Sequence, residues 1–185
     1  MKNSTFINVA KGFLFIDLIN SLLLVLILSG SAFAQTAGGH HSSTETKPAV
    51  LMSGLGEHHH PVSTKNPEAQ RFFDQGLTFI FAFNHDESAR SFERAAELDP
   101  NLAMAYWGIA LALGPNINLD VDPEREKAAY EGVQKALALS ANAPEQERAY
   151  IESLAIRYSI DPKADLKKLA VDYKKCNGRV GQTLP

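Results

Sequence analysis

Residues 69–100 read AQRFFDQGLTFIFAFNHDESARSFERAAELDP, and two amphipathic helices joined by a short turn account for the whole stretch. Phe72, Phe73, Gly76, Leu77, Phe79, Ile80 and Phe83 recur at spacings of three and four, which lays a wide apolar face on one side of a helix. Extended back to Pro67, that spacing predicts a first helix from Pro67 to Phe83, with the turn at Asn84, His85 and Asp86. Ala89, Phe92, Ala95 and Ala96 then share one side of a second helix, Asp86 to Leu98, while Arg90, Glu93, Arg94 and Glu97 occupy the other. Asp99-Pro100 closes it, because the residue before a proline disfavours helical dihedrals. Two helices joined by so short a turn form an α-hairpin.

The same punctuation continues outward. Asn66-Pro67, Asp122-Pro123 and Asp161-Pro162 each put a capping side chain before a proline that needs no amide partner in a first helical turn. A second pair begins at Ala103, with Tyr106, Ile109, Ala110 and Leu113 in its first helix and Ala129, Val133 and Ala136 in its second. A third begins near Pro144, with Ala149, Tyr150, Leu154, Ile156 and Tyr158 periodic. A helix from Lys163 follows, carrying Leu166, Leu169, Ala170 and Tyr173. The expected fold is all-α: tandem antiparallel helical hairpins over residues 65–175, behind a disordered N-terminal segment.

Gly76, Phe79, Phe92, Ala95 and Pro100 stand in a register that resembles the tetratricopeptide repeat, in which small residues sit where two helices approach and a proline ends the second. Ser88 and Gln75 depart from it, standing where the repeat has alanine and leucine. Ala95 and its counterpart Ala136 are 41 residues apart, against about 34 for an ordinary repeat, so an insertion is expected within the second hairpin. The strings His-His-Pro-Val-Ser-Thr from His59 and Phe-Phe-Asp-Gln-Gly-Leu from Phe72 are similar to those of a group of exported bacterial tetratricopeptide proteins. So is Tyr-Trp-Gly-Ile-Ala-Leu-Ala-Leu-Gly-Pro-Asn-Ile-Asn from Tyr106. The resemblance implies a solenoid whose first helices line a groove for a protein or peptide partner. By position that groove presents Gln70, Phe73, Leu77, Ile80, Met104, Trp107 and Leu111. It is apolar, and Trp107 is the residue best suited to anchor a partner.

Ahead of this array, Lys2 and Lys11 precede the apolar run Leu22 to Leu28 and then Ala32-Phe33-Ala34, the pattern of a secretory signal over residues 1–34 with cleavage before Gln35. The expected location is periplasmic or extracellular, with no stable membrane insertion after cleavage. A net charge of −3 offers no attraction to nucleic acid or anionic lipid. Residues 35–64 read as a flexible linker rich in His, Ser and Thr, with His40, His41, His58, His59 and His60 among them. An alternative function is metal binding through His58, His59 and His60 with His85, imidazole being a good ligand for zinc, copper or nickel. The spacing, however, matches no four-ligand structural site. The plainer expectation is that His58 to Pro61 forms an extended lead-in against the first helix.

The insertion from Gly114 to Asp122 alternates Asn116, Asn118, Asp120 and Asp122. That alternation is shared with calcium loops, but their glycine and closing glutamate are missing, the latter position being Lys127. Asp122 is expected to cap the following helix. No phosphate loop, nucleophile elbow or metalloprotease motif is present, Glu145, Glu147 and Glu152 near Arg148 read as solvated helix charges, and His85 reads as a turn residue. Catalysis and a bound cofactor are therefore not expected, which leaves a binding scaffold or an accessory domain of a larger enzyme. Beyond residue 175 the period stops: Cys176 stands alone and residues 176–185 read as an irregular tail. Their codons, read one nucleotide later, can spell Ala-Met-Gly-Glu-Leu-Ala-Lys-Arg-Tyr, an amphipathic continuation. A frameshift that removes later repeats is the corresponding expectation.

Overall fold

The computed structural model describes residues 48–116 and 122–183. The expected signal segment at 1–34, linker residues 35–47 with His40 and His41, and Asn118 and Asp120 of the insertion lie outside the described residues. Among the described residues every regular element is helical: α1 Pro67–Phe81, α2 His85–Leu98, α3 Ala103–Leu113, α4 Pro123–Leu139, a 3-10 turn Ser140–Asn142, α5 Glu145–Ala155 and α6 Leu166–Thr183. Each helix packs on the next, and α1 with α3 and α3 with α5 are also in contact.

The helix starts follow from local chemistry. The Asn66 side chain accepts from the amides of Glu68 at 2.9 Å and Ala69 at 3.3 Å, with Pro67 at the first helical position. Asp122 accepts from the Arg125 amide at 2.9 Å, ahead of Pro123. Asp99 ends α2 just before Pro100. α3, AMAYWGIALAL, is apolar on every side, and a helix without a polar face must be enclosed; its contacts with α1, α2, α4 and α5 enclose it.

The core turns on Phe92, which is fully buried. A Cβ at Gly76 of α1 would stand 2.7 Å from its ring, and one at Gly108 of α3 would stand 2.4 Å away. The ring is thus clamped between two backbones that approach only because both positions lack a side chain. Ser88 is buried and donates its hydroxyl to the Gly76 carbonyl at 2.8 Å.

Four boundaries differ from expectation. α1 stops at Phe81 rather than Phe83, because Phe83 takes a left-handed φ of 57°. Its amide then bonds the Ile80 carbonyl at 3.1 Å, and the Asn84 amide bonds that of Phe79 at 2.9 Å, which closes a Schellman motif. Second, Asn84 is the cap of α2, its side chain accepting from the Glu87 amide at 3.4 Å, so His85 is the first helical residue and not part of a turn. Third, α6 starts at Leu166 and not at Lys163. Asp161 and Pro162 form a turn in which Asp161 accepts from the Lys163 amide at 2.9 Å, and Asp165 caps the helix by accepting from the Lys168 amide at 3.0 Å. Fourth, α6 runs through Cys176 and Gly178 to Thr183, where an irregular tail is expected. Contact with α5 carries it there: Val180 is buried, and the Ser153 hydroxyl donates to Asn177 at 3.4 Å. The two helical glycines, Gly178 and Gly181, cost only about 1 kcal/mol each.

Candidate functional site

Residues 48–64 contain no helix, yet they are fixed along α1. The Gln75 amide group holds the first part, donating to the Val50 carbonyl at 3.0 Å while its oxygen accepts from the Met52 amide at 2.8 Å. Asp74 holds the next, accepting from the His60 amide at 3.0 Å and pairing with His59 Nδ1 at 2.8 Å. One turn earlier Gln70 does both jobs at once, accepting from the Val62 amide at 3.0 Å and donating to the His60 carbonyl at 2.8 Å. Contacts from Gln75 through Asp74 to Gln70 run toward the start of the helix, so the lead-in lies antiparallel to α1.

Its end is locked between two carboxylates. Glu147 of α5 accepts from the Ser63 amide and from the Ser63 hydroxyl, both at 2.6 Å. On the next residue, the Thr64 hydroxyl donates to Asp99 at 2.6 Å. Ala49, Leu51 and Val62 pack against the core, and the His60 ring sits between Phe73 at 6.1 Å and Tyr150 at 6.3 Å. The described half of the expected flexible linker is therefore an ordered, extended strap, as the plainer reading of His58 to Pro61 expects.

The expected groove residues fall into two groups. Phe73, Leu77 and Met104 are buried and serve as core. Gln70, Ile80, Trp107 and Leu111 are half-buried, and Gln70 is engaged by the strap. The half-buried Trp107 ring has its centroid 6.5 Å from that of Phe73 and 6.2 Å from that of Tyr150. Where an open apolar surface is expected across α1 and α3, the strap lies along α1.

The histidines do not converge. His58 meets the Phe81 ring edge-on at 5.4 Å, His59 pairs with Asp74, and the His60 ring packs tilted on Phe73 and edge-on to Tyr150. His85 lies beside Phe83 with ring centroids 6.5 Å apart. Among the described residues no three His, Cys, Asp or Glu side chains are placed to hold a metal ion. Glu147 is also corrected: it is 6% exposed and bonded, not a solvated helix charge. A separate cleft of about 460 Å³, lined by Pro123, Ile160, Pro162 and Leu166, lies between the start of α4 and the turn before α6. Among the described residues no helix is long and apolar enough to cross a membrane.

No protein-family model, curated protein or solved structure matches the chain. The residues that hold the strap and escaped sequence reasoning are Asp74, Gln75, Asp99, Glu147 and Tyr150. One signal for them existed: Gln75 is polar at a position where the repeat expects leucine.

Proposed function

We propose that this chain is an exported scaffold of tetratricopeptide type that binds an extended segment of a partner protein along α1, α3 and α5, with no catalysis of its own. Successive helices packed in order, with α1 touching α3 and α3 touching α5, support a solenoid of antiparallel hairpins, and the arrangement of residues 1–34 supports export. The observation that carries the binding role is the strap: α1 meets an extended chain through paired side-chain bonds to its backbone at His60 and Val62. A surface with that geometry is suited to an extended peptide whatever molecule supplies it.

Photo-crosslinking in the intact cell tests the role. A photoreactive residue placed at Gln70 or Leu111 is expected to give discrete adducts with one partner set, while the same residue at Glu131 or Lys135, exposed on α4, gives none of them. Equal adduct patterns from both faces would eliminate the groove.

A further inference from the structure

Glu147 supplies the selectivity that the backbone bonds lack. It is a buried carboxylate, and its two oxygens are taken by the amide and the hydroxyl of one residue, Ser63. A buried carboxylate left without donors carries a heavy desolvation cost, so the groove requires whatever occupies it to bring an N–H and an O–H to that point. Proline lacks the first donor and alanine the second. Asp99, half-buried and already accepting from the Asn101 amide, adds a weaker preference by taking the hydroxyl of Thr64. Three residues ahead of Ser63, the space between Phe73 and Tyr150 takes a flat ring, filled by His60. Val62, between them, packs into the core.

We infer that the groove selects partner segments with a ring residue, a branched apolar residue and then one or two hydroxyl residues, in the spacing of His60, Val62, Ser63 and Thr64. The chain's own strap is the competing occupant. This rests on the peptide-binding reading above and adds which peptides are taken. Ser63 is the residue that separates a selected segment from a merely extended one, since its hydroxyl bond is to a charged, buried acceptor. A bond of that kind is worth about tenfold or more in affinity.

The test uses the full exported chain and a fluorescein-labelled peptide covering residues 57–66, titrated by anisotropy. Ser63→Ala in the chain weakens the strap and is expected to raise affinity for the labelled peptide about tenfold. The same change made in the peptide is expected to lower it about tenfold against that variant, and serine replaced by threonine in the peptide to restore it. Glu147→Gln in the chain is expected to shrink the preference for serine over alanine peptides. The peptide arms need no further chain variant, so a folding defect in Glu147→Gln does not affect them. Equal binding of the serine and alanine peptides overturns the inference and leaves the groove standing. Absence of binding to the Ser63→Ala chain even at about millimolar concentration, where the tethered strap no longer outcompetes the peptide, overturns the groove itself.

Discussion

Gly108→Ala puts the packing argument at its most exposed point. On helix propensity alone the change should help, since alanine is favoured over glycine inside a helix by about 1 kcal/mol. The new methyl carbon, however, would stand 2.4 Å from Cδ1 and 2.5 Å from Cγ and Cε1 of Phe92. Unbonded carbons rest at about 3.5–4.0 Å, so the overlap exceeds 1 Å by that comparison. The ring has little slack there, because Phe92 is fully buried and the same Cδ1–Cε1 edge already lies 2.7–2.8 Å from the position a Cβ would take at Gly76 of α1. Overpacking of a closed core costs about 1–3 kcal/mol and sometimes more; for a ring that is fully buried the upper end applies, leaving a net loss of about 2 kcal/mol. Urea unfolding followed by circular dichroism reads it as a lower midpoint with an unchanged slope. Phe92→Leu, which removes ring atoms from the gap, is expected to be less damaging in the Gly108→Ala background than alone, a coupling of about 1 kcal/mol or more. A Gly108→Ala protein as stable as the parent, or strictly additive single changes, would refute the clamp.

Phe83→Gly should stabilise the fold by about 0.5–1 kcal/mol, because Phe83 holds a left-handed φ of 57° while 62% exposed, and glycine fills that position at a helix end without strain; a lower urea midpoint would show that the exposed ring contributes packing after all. Burial pushes the Tyr158 phenol far above its ordinary value, so above about pH 10 the unfolded chain releases a proton that the folded chain retains. Stability then falls as pH rises, by about 1.4 kcal/mol per pH unit for one such group, and Tyr158→Phe should make the alkaline decline of urea midpoints shallower; parallel declines would mean that the phenol does not drive it.

The helices were legible because their determinants are local. Apolar residues at three and four spacing mark the buried faces of α1 and α2, and Asn66 and Asp122 act as caps wherever they precede Pro67 and Pro123. Where local and tertiary signals part, the reading went astray. Residues 176–183 have no apolar period, yet α6 continues through them: the helix packs on α5, Ser153 donates to Asn177 and Val180 is buried. The strap was harder to see for a different reason. Its bonds at His60, Val62 and Ser63 run from backbone amides to side chains of α1 and α5, and backbone amides leave no pattern in a sequence. Glu147 looked like any surface glutamate of an amphipathic helix until its partner, 84 positions away, was in place.

Under the proposed binding role, the strap also sets what a partner must bring. It joins α1 directly through Lys65 and Asn66, so it competes for the groove at an effective concentration of at least about 1 mM. A free segment at micromolar concentration with the same contacts is outcompeted roughly a thousandfold, equivalent to about 4 kcal/mol. Matching His60 to Thr64 is therefore insufficient for a physiological ligand; it must also gain contacts that the strap does not make. The exposed apolar side chain of Phe81 lies beside the strap, against His58. Contacts there would be available to a longer segment and not to a short peptide. Weak binding of short peptides to the unmodified chain is thus what the geometry requires, and the Ser63→Ala chain is the form in which the groove's own preference becomes measurable.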